Sequence, residues 1–222
     1  MADSSKLIGK IILALDVDNF KRAKYFVDKL YPRIKTFKVG LQLFTACGPG
    51  IIEYIRKKGG SVFLDLKLHD IPNTVASAVR QAAALKVKLL TLHIAGEEAM
   101  LKAAVSAARE APCRPLLIGV TVLTSQKTNP ARVLKLARLG LACGLDGVVC
   151  SAKEVRLLRR AIKKKFIIVT PGIRPKSALA DDQKRTMSAP EAIKAGSNFL
   201  VIGRPILKAK DPLQALTEIS TP

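Results

Sequence analysis

SVFLDLKLHDIPNTVASAVRQAAALKVKLLTLHI, residues 61–94, reads as strand, helix, strand. SVFLDLK (61–67) and KLLTLHI (88–94) are short apolar runs of strand length. PNTVASAVRQAAALK between them opens on a proline and carries its apolar positions at helical spacing. The same alternation runs outward in both directions. Further strands are expected at IILALDV (11–17), TFKVG (36–40), PLLIGVTVL (115–123), DGVVCS (146–151), FIIVTPG (166–172) and NFLVIGR (198–204). Helical patterns separate them, from FKRAKYFVDKLY near the start to DPLQALTEI at the end. Strand–helix units repeated in this way without a linker predict an α/β fold, a closed parallel (β/α)8 TIM barrel forming a single domain over residues 1–222. A doubly wound open sheet is the alternative. It would have fewer strands and a glycine-rich first turn, whereas the first turn here is LDVDNF. The long exception to the alternation is IRPKSALADDQKRTMS (173–188), whose polarity predicts an extended loop after the seventh strand.

Composition supplies a core and excludes disorder, with 49% hydrophobic and 25% charged residues. No apolar run has the length of a membrane span, and MADSSKLIGK at the start lacks the apolar centre of a secretory signal, so a cytoplasmic location is expected. Cys47, Cys113, Cys143 and Cys150 form no CxxC pair and are expected as buried reduced thiols, with neither metal nor disulfide. The net charge is +21, which attracts anions, phosphorylated metabolites and nucleic acid among them. Many of the basic residues lie in RKK (56–58), ARVLKLARLG (131–140) and KEVRLLRRAIKKK (153–165), where they alternate with apolar positions as a solvated helix face does. Seven Phe, three Tyr and no Trp leave little for stacking on bases, so nucleic-acid binding is expected to be nonspecific and salt-sensitive.

In a (β/α)8 barrel the chemistry gathers where strands end. The endings here carry Asp16, Lys38, Asp65, Lys67, Thr124, Ser125 and Arg204. Side chains two apart on a strand share a face, so Asp65 and Lys67 should enter the barrel mouth together while Leu64, Leu66 and Leu68 face the helices. A structural ion pair, with Asp70 capping the helix that begins near Pro72, would explain part of this. Adding Lys38 makes a set of two ammonium groups and two carboxylates, costly to desolvate unless it performs chemistry. Across the barrel, TPGIRP, Gln183 and IGRP place Arg174, Gly203 and Arg204 where a phosphate dianion would be held. The alternative for each arginine is a surface salt bridge.

LALDV, FKVG, FLDLKLHDIPNT, VTVLTS, TPGIRP, the DDQ loop and VIGRPI follow one another in the order found in orotidine 5'-monophosphate decarboxylases, and the chain resembles that family over nearly its whole length. The resemblance implies a lyase of pyrimidine biosynthesis that makes uridine 5'-monophosphate (UMP) without cofactor or metal. It implies a charged tetrad of Lys38, Asp65, Lys67 and Asp70, with Lys67 the proton donor to C6. Asp70 and Thr74 would reach the partner's site in a homodimer. Asp16 and Lys38 would hold the ribose, Thr124 and Ser125 would lie along the pyrimidine, and Pro171 would wall it. Arg174, Gln183, Gly203 and Arg204 would hold the phosphate under a lid at about 173–188. The departures are mild: Ile94 follows His93 where the family has a small polar residue, and the chain is slightly short for the bacterial type. His93 is expected to be structural. Sugar-phosphate relatives with the same DxKxxD element, such as 3-keto-gulonate 6-phosphate decarboxylase and hexulose-phosphate synthase, resemble metal-dependent enzymes with a strand-two carboxylate, where this chain has Lys38.

Overall fold

The computed structural model describes residues 2–123, 126–174 and 187–221. Strands β1 (Ile11–Ala14), β2 (Thr36–Gly40), β3 (Ser61–Leu68), β4 (Leu89–His93), β5 (Leu116–Val120), β6 (Gly147–Val149), β7 (Ile167–Thr170) and β8 (Phe199–Ile202) pair in chain order. Every pairing is parallel, and β8 pairs back on β1 to close the barrel. All eight expected strands are present, several of them shorter than their apolar runs.

Around the barrel lie α1 (Ala2–Ile8), α2 (Phe20–Leu30), α3 (Leu41–Cys47), α4 (Gly50–Lys57), α5 (Pro72–Ala84), α6 (Glu97–Glu110), α7 (Pro130–Ala142), α8 (Val155–Ala161), α9 (Ala189–Ala195), α10 (Arg204–Leu207) and α11 (Pro212–Ser220). Their starts follow from local chemistry. Asn19 and Asn129 accept the backbone N–H of Arg22 and Arg132 at the heads of α2 and α7. Ser188 and Glu191 form a reciprocal capping box on α9, which ends on left-handed Gly196. The sequence reading omits α1 and α3, and expects a helix just after Arg204 without bounding it, where α10 lies. Both α3 and α10 are short and have no side-chain cap, so they lack the usual start signal.

Alternation on each strand divides the apolar residues between two layers. Ile12, Phe63, Leu89, Ile118 and Val169 fill the barrel interior. Phe37, Val39, Leu64, Leu90 and Leu117 pack outward under the helices, with Leu66 and Leu68 against the same layer as expected. Lys38, between Phe37 and Val39, must therefore point inward. Gly147 lets β6 approach β7, because a Cβ there would press on the Ile167 carbonyl oxygen and lie 2.7 Å from its Cβ. Gly147→Ala is expected to destabilise the barrel by about 3 kcal/mol, read as a lower urea midpoint at unchanged slope.

Two expectations are corrected. Cys143 and Cys150 are buried, but Cys47 is half-buried and Cys113 exposed, because the latter sits in the surface turn between α6 and β5; all four are free thiols. Burial pushes the Cys150 thiol far above its ordinary range. Most basic residues of α7 and α8 are exposed, yet Arg159 is half-buried and donates to the carbonyl oxygens of Gly196 and Phe166 and to Asn198 Oδ1. It is a strut between α8 and the β7–β8 region rather than part of a solvated face. Among the described residues no helix is long and apolar enough to cross a membrane.

Candidate active site

Asp16, Lys38, Asp65, Lys67, Pro171, Arg174, Gly203 and Arg204 line one cavity of about 310 Å³ where the strands end. These eight are brought together from β1, β2, β3, β7 and β8 by closure of the barrel. Between the charged end and the arginine end the walls are apolar, built by Phe63, Val122, Leu123, Val149, Val169 and Val201. Side chains from several strands thus enclose a volume suited to a small ligand.

Asp65 is the hub. Its Oδ2 accepts from Lys67 Nζ at 2.9 Å and lies 3.6 Å from Lys38 Nζ. Lys38 Nζ also donates to Asp16 Oδ1 at 2.9 Å. Lys38 and Asp65 are nearly buried, with side-chain exposures of 10% and 13%, whereas Lys67 keeps 31% and Asp16 51%. The buried pair is thus compensated by direct contact, and Lys67 is the cation left accessible to a ligand. The Gly40 backbone passes so close that an added Cβ would lie 2.8 Å from Lys38 Nζ.

Lys67 carries a feature absent from the sequence reading. Its φ is +52°, a left-handed conformation, and the β3–β4 register shifts between Leu64 and Leu68. Its backbone N–H donates to Thr91 Oγ1 at 2.9 Å, and Thr91 Oγ1 donates to Asp65 Oδ1 at 3.0 Å. Thr91 is fully buried on β4. Its sequence signal is faint: an uncharged polar residue two positions before His93 in an otherwise apolar run.

At the far end, Arg174 is half-buried and Arg204 exposed. Burial and then the neighbouring Arg204 guanidinium lower the Arg174 pKa. Neither arginine has a carboxylate partner among the described residues, so the surface-salt-bridge alternative is not what the described residues form. In the first turn of α10, Ile206 and Leu207 donate to the Gly203 carbonyl oxygen and Pro205 has no N–H. Two lysines and two arginines against Asp16 and Asp65 leave an excess of two positive charges in the cavity, which matches a phosphate dianion.

Asp70 and Thr74 do not line this cavity. Both are exposed at the head of α5, where Asp70 Oδ1 accepts from the Ile71 N–H at 2.6 Å and no side chain caps the helix. Ile71, next to Asp70, and Leu41 at the start of α3 are the most exposed large apolar side chains among the described residues, at 65% and 58%. Thr124, Ser125, Gln183 and most of the 173–188 loop lie outside the described residues.

His93 sits apart from the cavity lining, with its ring 5.4 Å from that of His69. Burial, then the charges of His69 and Lys67, lower its pKa against a smaller opposing pull from Asp65. A histidine with a depressed folded-state pKa contributes stability at neutral pH that is lost as pH falls from its ordinary range through the lowered value. His93→Asn is therefore expected to reduce the loss of stability between about pH 7 and about pH 5, by less than about 1 kcal/mol. Thermal melts of the two proteins across that range check it.

Barrel, charge array and arginine pair together make a (β/α)8 protein whose strand-end cavity carries ammonium, carboxylate and guanidinium groups. The profile of the orotidine 5'-phosphate decarboxylase / HUMPS family matches residues 9–219. Orotidine 5'-phosphate decarboxylase of Citrifermentans bemidjiense is 47% identical over 227 aligned residues, covering 96% of this chain and 95% of the relative. That of Trichlorobacter lovleyi is 48% identical over 221, covering 93% and 92%. The crystal structure of orotidine 5'-phosphate decarboxylase from Lactobacillus acidophilus superposes with a TM-score of 0.81 at 34% identity, covering 95% of this chain and 97% of that one. The chain belongs to the orotidine 5'-phosphate decarboxylase / HUMPS family.

Proposed function

We propose that the protein decarboxylates orotidine 5'-monophosphate to UMP in pyrimidine biosynthesis, with Lys67 as the group that stabilises and then protonates the reacting carbon. The observation that carries this reading is the Lys38–Asp65–Lys67 array at one end of a cavity whose other end presents Arg174 and Arg204. Loss of carbon dioxide breaks the bond between C6 and the carboxylate and leaves the electron pair on C6, which the pyrimidine ring cannot delocalise as an enolate would. The Lys67 ammonium stabilises that charge in place and its proton then passes to C6; solvent reprotonates the amine. Asp65 holds the ammonium in place by accepting its hydrogen bond. The steps need no redox or covalent cofactor and no metal.

Asp16 and Lys38 suit the ribose hydroxyls, and Pro171 with the valine walls suits the flat ring. Thr124, Ser125 and Gln183 are assigned to pyrimidine and phosphate on the family resemblance, as is the lid role of residues 173–188. Phosphate binding far from C6 can drive closure and water exclusion rather than retention alone. Deletion of the loop tip with unchanged turnover would remove the lid from this account.

The exposed Asp70 and Thr74, with the exposed apolar Ile71 between them, support a homodimer in which those two residues complete the partner's site. Full turnover at concentrations where sedimentation finds only monomer would overturn it. The reaction itself is tested by the ultraviolet absorbance of orotidine 5'-monophosphate mixed with the protein in the presence of a metal chelator. Conversion to UMP is expected. Absence of conversion, with activity on a keto-sugar phosphate once magnesium is restored, would assign the protein to the sugar-phosphate branch of its family.

A further inference from the structure

We propose that Thr91 is a positioning residue for the reacting centre, its one hydroxyl holding both the Asp65 carboxylate and the backbone of Lys67 in the geometry that aims Lys67 at the substrate. The direction of its hydrogen bonds follows from chemistry. A backbone N–H can only donate, so Thr91 Oγ1 accepts from Lys67 N at 2.9 Å. A carboxylate can only accept, so the Thr91 hydrogen goes to Asp65 Oδ1 at 3.0 Å. The two bonds are compatible in a single hydroxyl orientation.

Each bond replaces something the fold would otherwise lack. The β3–β4 register shifts between Leu64 and Leu68, and Lys67 between them is left-handed at φ +52°, so its N–H points away from a regular ladder partner. A left-handed lysine persists only where its surroundings hold it. Thr91, fully buried on the adjacent strand, supplies that hold. At Asp65 the oxygens are divided, Oδ1 to Thr91 and Oδ2 to the two ammonium groups. Without Thr91 the carboxylate could turn and share both oxygens with Lys67 and Lys38, drawing the Lys67 ammonium away from the ligand. Thr91 is uncharged, so it acts on the reaction through geometry and not through its own field.

The consequence for turnover rests on the decarboxylase reading above, and the test separates the two. Thr91→Val keeps the shape and removes the hydroxyl, Thr91→Ser keeps the hydroxyl, and Thr91→Ala serves as a second hydroxyl-free variant if valine misfolds. Thr91→Val is expected to lower kcat about 100-fold through misplacement of the reacting groups, while the Kd for UMP, set largely at the arginine end, stays within about threefold. Thr91→Ser should recover kcat to within about tenfold of wild type. Hydrogen exchange at the Lys67 amide should be accelerated in Thr91→Val and protected in Thr91→Ser. A folded hydroxyl-free variant with wild-type kcat, or a serine variant as impaired as the valine one, would overturn the proposal. If the wild type does not convert orotidine 5'-monophosphate, the functional reading falls instead. The Lys67 amide then decides the Thr91 contact by itself: accelerated exchange in Thr91→Val upholds it and unchanged exchange overturns it.

Discussion

Lys67→Ala is expected to lower kcat by about 10⁴-fold or more while leaving a folded protein. In the proposed reaction two contributions vanish together, the positive charge beside C6 and the proton that must reach it, and no other described residue of the cavity can replace both. Lys38 is the other nearby ammonium, but it is held between Asp16 and Asp65 and is only 10% exposed. The fold should tolerate the change for the same structural reason. Lys67 retains 31% exposure, and Asp65 would keep its contacts with Thr91 Oγ1 and Lys38, so no buried carboxylate is left unpaired. The thermal midpoint should therefore move little, and UMP should still bind through the arginine end. Turnover followed by ultraviolet absorbance, with a melt on the same sample, separates the two effects. Activity within tenfold of wild type would end the assignment of Lys67 as proton donor.

Arg204→Ala is expected to lower kcat/KM for orotidine 5'-monophosphate about 10³-fold. A guanidinium–phosphate contact can be bidentate, and two charge-assisted bonds at about 2 kcal/mol each amount to about 4 kcal/mol, or three decades in a rate or equilibrium constant. Removing Arg204 also removes the repulsion that helps lower the Arg174 pKa, but one cation is then left for a dianion. If phosphate binding serves closure as well as retention, kcat should fall along with the affinity. The measurement is kcat and KM for Arg204→Ala beside Arg138→Ala, an exposed arginine in the last half of α7 that does not line the cavity and should behave as wild type. Equal effects from both substitutions would mean that general surface charge, not a phosphate site, attracts the substrate.

The positive charge of +21 has two components in the structure. A small part is structural or faces the cavity, as Arg159, Lys38, Lys67, Arg174 and Arg204 do. Much of the remainder lies exposed on the outer helices, Arg132, Lys135 and Arg138 on α7 being typical. Steering of a phosphorylated, carboxylated substrate by that field would be strongest at low salt and would weaken over the Debye length of about 8 Å at physiological ionic strength.

Chain order and periodicity alone determined the barrel. Runs of apolar residues recurring between helical patterns have one compact parallel arrangement when there are eight of them, and closure then places every strand end on one face. That is why Asp16, Lys38, Asp65, Lys67, Arg174 and Arg204 were legible as one site: their positions on the strands depend on local alternation, and the barrel does the rest. The tertiary structure alone decided what lies between the strands. Thr91 meets Asp65 across 26 residues of sequence because of the β3–β4 register, and that register contains a shift no local pattern announces. The left-handed turn at Lys67, the burial of Arg159 and the exposure of Cys113 are of the same kind. Each depends on how closely a neighbouring element approaches, a non-local quantity set by packing of the whole barrel, whereas alternation and chain order are written residue by residue.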